Sequence, residues 1–214
     1  MTPNPQLSHS EWSCHGFLSV RARTFFTMVC LVCSRAGAAT LCDRCRNQLV
    51  PAGLRRLSGG LLVGSGFVHD GPARVLVHRL KYQGIVQAAG PLAERMAELL
   101  DGRAGILVPV TRAVLRTWRY GVDPGRELTR ALSAITGRRQ VDVLVRPLWA
   151  AGHAGVGRAG RTSIRFEARP LPPGPLILID DVLTTGATLS AARRAVGESA
   201  ISGVTATSAG RVVL

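Results

Sequence analysis

The chain has 214 residues, 27 cationic against 13 acidic side chains, and a formal net charge of +14. That length suits one α/β domain with a core of its own plus a small appendage, and it excludes two full domains. The basic balance favours anionic partners such as nucleotides, phosphates or nucleic acid, although a solvated arginine-rich surface accounts for the same charge.

Residues 1–27 carry no clear pattern. Within "FLSVRARTFFTMVCLVC" the apolar pieces are interrupted by Arg21 and Arg23, no small-residue cleavage site follows cleanly, and Met28 stands just before a cysteine motif. The first 27 residues are therefore expected to be a disordered tail or a non-native extension. No apolar run approaches the roughly 20 residues that a membrane helix requires, so a cytoplasmic protein without membrane insertion is expected.

Four of the five cysteines fall in "CLVCSRAGAATLCDRC", as Cys30, Cys33, Cys42 and Cys45. Two C-x-x-C pairs can turn four thiolates toward one tetrahedral Zn²⁺. Four sulfur ligands leave no coordination position for water, which makes the zinc structural rather than catalytic. Two disulfides are the alternative, favoured only in an oxidising compartment. A zinc-knuckle module over 28–50 is expected, followed by a second unit over 51–214.

In that second unit, strand-like and helix-like segments alternate. The patterns predict strands at 61–69, 105–110, 140–148 and 175–180 and near 204–207, with helices at 73–82, 88–100, 125–137 and 188–199. Such alternation argues for a mostly parallel sheet covered by helices on both faces, with ligands bound beyond the carboxyl ends of its strands. Lys81, in "RLKYQG", is the single lysine of the chain. A compact amine retained where all other cations are arginine suggests a specific demand for a point charge.

The most informative stretch is "LILIDDVLTTGATL", residues 176–189. An apolar strand runs into Asp180 and Asp181, which are placed at its end, and a threonine-glycine turn then opens a helix. Backbone N–H groups and hydroxyls at a helix N-terminus favour a phosphate. The carboxylates instead suit hydroxyls or a hydrated Mg²⁺. A ribose 5-phosphate satisfies both halves. No Walker-type G-x-x-x-x-G-K-[ST] loop occurs in the chain.

This stretch resembles the phosphoribosyl pyrophosphate (PRPP) motif of type I phosphoribosyltransferases. The resemblance implies that fold, with Asp180 and Asp181 on the ribose hydroxyls and Thr184, Thr185, Gly186, Ala187 and Thr188 around the 5-phosphate. The order of zinc knuckles, "LKYQG", "LVPV", an arginine-bearing turn and this motif is similar to the ComF family, over roughly residues 30–210. The family resemblance implies PRPP with Mg²⁺, an unidentified nitrogenous acceptor, and a pyrophosphate-binding loop at Val108 to Val110. Lys81, with Arg116 or Arg119, would neutralise the leaving group, making Lys81 and Arg119 the candidate catalytic residues. It also implies a link to DNA uptake, with single-stranded DNA or an uptake helicase as partner. Two departures stand out. "WRYGVDPG" has Asp123 and Pro124 where the family resembles Asn and Gln, and "HAGVGRAGRTSI" keeps Arg158 and Arg161 but has His153 and Ile164 at its ends. An active transferase, a non-catalytic PRPP sensor and a DNA-binding accessory protein all remain open on these residues, and the low aromatic fraction, 5%, weighs against extensive base stacking on DNA.

Overall fold

The computed structural model describes residues 28–37, 39–111, 120–146 and 164–210. The expectation for residues 1–27, and the candidates Arg116, Arg119, His153, Arg158 and Arg161, lie outside the described residues.

The cysteine segment opens with a short antiparallel hairpin, β1 (Met28–Val29) and β2 (Ala36–Gly37), followed by one helical turn, α1 (Asp43–Arg46). The central sheet contains β3 (Leu54–Arg56), β4 (Leu62–Val68), β5 (Ile106–Pro109), β8 (Leu176–Leu183) and β9 (Ala200–Ser208). Its order is β3-β4-β9-β8-β5, parallel throughout except for the antiparallel edge strand β3. A mostly parallel α/β sheet is what the alternating pattern predicts.

The helices start and stop where their caps dictate. In α2 (Gly71–Gln83), Asp70 accepts a hydrogen bond from the Gly71 N–H, Pro72 occupies the first turn, and Gly84 closes the helix in the left-handed region. The next helix, α3 (Ala89–Glu98), follows a 3₁₀ turn at Val86–Ala88. In α4 (Pro124–Thr136) the cap is Asp123, which accepts from the Arg126 N–H at 3.1 Å, with Pro124 as first residue and Gly137 as left-handed terminator. The Asp123-Pro124 pair that departs from the family pattern is thus a helix start. The last helix, α5 (Ala187–Val196), begins directly at the threonine-glycine turn.

Two apolar layers sandwich the sheet. On one face Leu76, Leu80, Leu92, Met96, Leu128 and Leu132 from α2, α3 and α4 meet Ile177, Ile179 and Val204. On the other, Leu189, Ala192 and Val196 of α5 meet Val63, Val108, Leu176 and Leu178. β8 is buried on both faces, which is why it reads as a continuous apolar run.

Two expectations need correction. Within the described residues the strand placed at 140–148 shrinks to β6 (Leu144–Val145), paired antiparallel with β7 (Glu167–Ala168) away from the central sheet. Gln140 keeps only an isolated parallel bridge to Leu107. Secondly, β8 does not stop at residue 180 but continues to Leu183, so Asp180 and Asp181 lie inside the strand. Pairing with β9 explains the extension: Asp180 faces Thr205 and Leu183 faces Ser208 in register.

Candidate functional site

A cavity of about 480 Å³ opens at the carboxyl end of the sheet, lined by residues that follow or terminate β4, β5 and β8 and by one side of α2. Its position follows from unequal strand lengths. β5 ends at Pro109 opposite Ile179, and the Val110 N–H makes the last bond to the Ile179 carbonyl. From residue 180 onward β8 has β9 on one side and no β5 residue on the other. Two carboxylates can therefore sit within a strand and still border open space.

Asp180 and Asp181 both line this cavity, as do Lys81, Thr184 and Thr188. Lys81 Nζ lies 2.8 Å from Asp181 Oδ2. Asp181 is only 6% exposed, and its backbone N–H donates to the Asp180 carboxylate at 2.8 Å. Burial pushes the Asp180 carboxyl well above the usual carboxylate range, and the neighbouring Asp181 charge adds to the rise against the opposing pull of Lys81. The two carboxylates thus share the cavity with the cationic side chains of Lys81, Arg74 and Arg146.

Thr185, Gly186 and Ala187 form the turn between the lining residues Thr184 and Thr188 but do not themselves line the cavity. The turn is sterically specified. Gly186 has φ +82°, and a Cβ there would stand 2.6 Å from a Leu57 methyl. Arg55 of β3 donates to the Thr184 carbonyl at 2.7 Å, holding the start of the turn from outside. The Thr185 hydroxyl accepts from the Ala187 N–H at 3.3 Å. The first-turn N–H groups of a helix have no intrahelical acceptors, an arrangement that in general favours anions.

Residues that the motif reading missed complete the walls. His69, just beyond β4, shares a 2.8 Å hydrogen bond between its Nδ1 and Thr207 Oγ1, and Thr207 Oγ1 donates to the Asp181 carbonyl at 3.3 Å. Burial, reinforced by the Lys81 and Arg74 charges, lowers the His69 pKa. From α2, Arg74, His78 and Tyr82 line the cavity beside Val77 and Lys81, and Arg146 lines it as well. The spacing of Arg74, His78 and Tyr82, four residues apart each time, puts them on one helical stripe. That stripe was available in the sequence.

The four cysteines form a second constellation. Their sulfurs all lie within 4.8 Å of one another, with Cys33 and Cys42 sulfurs 3.7 Å apart. None of the four is joined in a disulfide in this structure. A tetrahedron of sulfurs about 2.3 Å from a central zinc has edges of about 3.8 Å, so the spacing fits one Zn²⁺. Cys30 and Cys45 are buried, and Cys33 is exposed. Ser34, at φ +58°, makes the knuckle turn, and the Cys42 N–H donates to Cys30 sulfur at 3.5 Å. Burial opposes ionisation of both inner thiols. At Cys30 the backbone donors of Cys33, Cys42 and Val32 prevail and hold it at about 6, whereas burial and the other cysteines push Cys45 up to about 12. Residues 30–45 can therefore hold one tetrahedral metal ion. Among the described residues no helix is long and apolar enough to cross a membrane.

No protein-family model matches the chain, and no curated protein matches it. Solved structures do. A hypoxanthine phosphoribosyltransferase of Trypanosoma cruzi is 15% identical with a TM-score of 0.36, covering 62% of this chain and 69% of its own. The orotate phosphoribosyltransferase of Mycobacterium tuberculosis H37Rv with Fe(III) dicitrate is 20% identical with a TM-score of 0.32, covering 78% and 83%. The same enzyme with inorganic phosphate is 12% identical with a TM-score of 0.30, covering 78% and 92%. At such TM-scores the likeness is partial, and the chemistry of the cavity has to stand on its own residues.

Proposed function

We propose that this chain binds PRPP in the sheet-end cavity and transfers its phosphoribosyl group to a nitrogen acceptor, as a ComF-type phosphoribosyltransferase with a structural zinc module. One observation carries the reading: Asp180, Asp181, Thr184 and Thr188 of the motif and the distant Lys81 border a single cavity. In this reading Asp180 and Asp181 accept hydrogen bonds from the ribose hydroxyls. The 184–188 turn surrounds the 5-phosphate with N–H groups and hydroxyls. Lys81 moves from Asp181 to the pyrophosphate, and Arg119 adds a second positive charge there by the family likeness.

The reaction is a displacement at C1 of the ribose. The acceptor nitrogen forms a bond to C1 while the C1–O bond breaks, pyrophosphate departs with the electron pair, and the acceptor's N–H proton passes to pyrophosphate or water. Fixed charges placed before the reaction stabilise the charge that develops on the leaving group. The donor set also suits Mg²⁺. Two adjacent carboxylates, one already drawing a cation and the other held toward its protonated form without one, are hard oxygen ligands for a dication. Asp180 and Asp181 would hold Mg²⁺ together with ligand oxygens, and the ion supplies further neutralisation of pyrophosphate when bound.

Calorimetric titration with PRPP and Mg²⁺ tests the reading. Wild type is expected to bind, and the Asp180→Asn, Asp181→Asn double variant to lose at least about a hundredfold in affinity while remaining folded. Undiminished affinity in the variant removes the ribose assignment. Pyrophosphate release in the presence of acceptors then separates an enzyme from a sensor.

A further inference from the structure

The otherwise parallel sheet carries one antiparallel edge strand, β3, and this strand with the loop that joins it to β4 leans on the threonine-glycine turn and on α5. Arg55 donates to the Thr184 carbonyl at 2.7 Å. The buried Leu57 side chain fills the space beside Gly186, where a Cβ would meet it at 2.6 Å. From α5, Arg193 donates to the Gly59 carbonyl at 2.6 Å, and its other terminal nitrogen holds Glu198 at 3.1 Å. Arg56 closes the loop on itself through the Gly60 carbonyl at 3.0 Å. Residues 55–60 therefore form a bracket, tied to the turn at one end and to the following helix at the other.

The Arg55 bond selects a direction for one peptide group. Thr184 C=O and Thr185 N–H belong to the same planar trans unit, so they point to opposite sides. Thr184 lines the sheet-end cavity, whereas Arg55 stands outside its lining. Thr185 N–H makes no backbone hydrogen bond among the described residues. A carbonyl oxygen turned the other way would set a partial negative charge against any anion in the turn. We propose that Arg55 is a positioning residue for the phosphate turn: by fixing the Thr184 carbonyl outward it turns Thr185 N–H toward the 5-phosphate, without touching the phosphate itself. The assignment rests on the PRPP reading above. Arg55 precedes Thr184 by 129 residues, so the motif that contains the turn does not contain the group that orients it.

The test compares Arg55→Met, which keeps much of the stem and has no donor, with Arg55→Lys, which keeps a charged donor. Calorimetry uses PRPP with Mg²⁺ as the probe that carries a 5-phosphate and pyrophosphate with Mg²⁺ as the probe that lacks one. Arg55→Met should weaken PRPP about tenfold, the size of one hydrogen bond from a charged group, and leave pyrophosphate within about twofold. Arg55→Lys should recover PRPP affinity to within about threefold of wild type. In the amide NMR spectrum the Thr185 signal is expected to shift on PRPP addition in wild type and to move much less in Arg55→Met, a contrast that a loss of stability alone would not produce. Unchanged PRPP affinity in Arg55→Met, equal losses for PRPP and pyrophosphate, a lysine variant as weak as the methionine one, or a Thr185 signal that moves alike in wild type and Arg55→Met overturns the assignment. Failure of wild type to bind PRPP is a separate result, which removes the underlying reading and the role of Arg55 with it.

Discussion

Replacing Lys81 by methionine isolates the electrostatics of the site, because methionine keeps most of the apolar stem and removes the charge. Lys81 Nζ and Asp181 Oδ2 are 2.8 Å apart, with side chains 21% and 9% exposed. At an effective dielectric near 20 such a pair attracts by about 6 kcal/mol, most of it offset by desolvation. Removing one partner leaves Asp181 beside Asp180 without a nearby lysine. The expected loss is about 2–3 kcal/mol at pH 7, at the low end for a buried pair because the cavity is open to water. For a domain of this size that lowers Tm by roughly 5–10 °C. The pH dependence is diagnostic. Burial and Asp181 already raise the Asp180 pKa above its unfolded value, and Lys81 opposes the rise. A carboxyl with a raised folded pKa stabilises the fold as pH falls through that pKa toward the unfolded value near 3.9, because the folded state then binds more protons. Without Lys81 this effect grows, so the gap between variant and wild type should narrow as pH falls through that raised pKa. Urea unfolding of both proteins across that fall in pH measures it. Equal midpoints at pH 7, or a gap that does not change with pH, would refute the reasoning.

Two other outcomes follow from described geometry. Purified protein should carry about one zinc per chain by elemental analysis, and chelation or Cys45→Ala should release it and lower Tm, since Cys30 and Cys45 lie within the apolar layer shared with α2 and α3; a zinc-free protein with an unchanged melt contradicts this. Gly186→Ala should cost about 1–3 kcal/mol of stability, through φ +82° and the 2.6 Å approach to Leu57, and should weaken PRPP binding as well. In a Leu57→Ala background, which removes the loss of that buried leucine from the comparison, Gly186→Ala should cost only the backbone part, and no cost at all in a thermal melt would show that backbone strain contributes nothing.

Much of this organisation was readable from spacing alone. The four cysteines announced their cluster through two C-x-x-C pairs, and α2 and α4 were delimited by Gly84 and Gly137, which end helices because only glycine enters the left-handed region at little cost. The length of β8 was not readable. Two aspartates after four apolar residues look like the end of a strand, and only the partner β9, contributing Thr205 and Thr207, shows that the ladder runs on. Residues 140–148 read as a strand because Val141, Val143 and Val145 alternate, but the described part pairs with Glu167–Ala168 outside the central sheet. His69 and Arg146 reach the cavity through long-range folding and carry no local signal. The Arg74, His78, Tyr82 stripe did carry one, in its four-residue spacing.

The buried cysteines share one apolar layer with Leu76, Val77 and Leu80 of α2, the helix whose other side walls the cavity. Arg46 of the knuckles is also tied to Glu94 of α3 at 3.0 Å. A chain cut after the knuckles would therefore bare the back of the same helix that presents Lys81 and Tyr82, and its loss of ligand affinity would report a loosened wall as much as an absent metal. Loss of a metal from the knuckles, or oxidation of their thiols, would thereby reach the wall of the sheet-end cavity through ordinary packing.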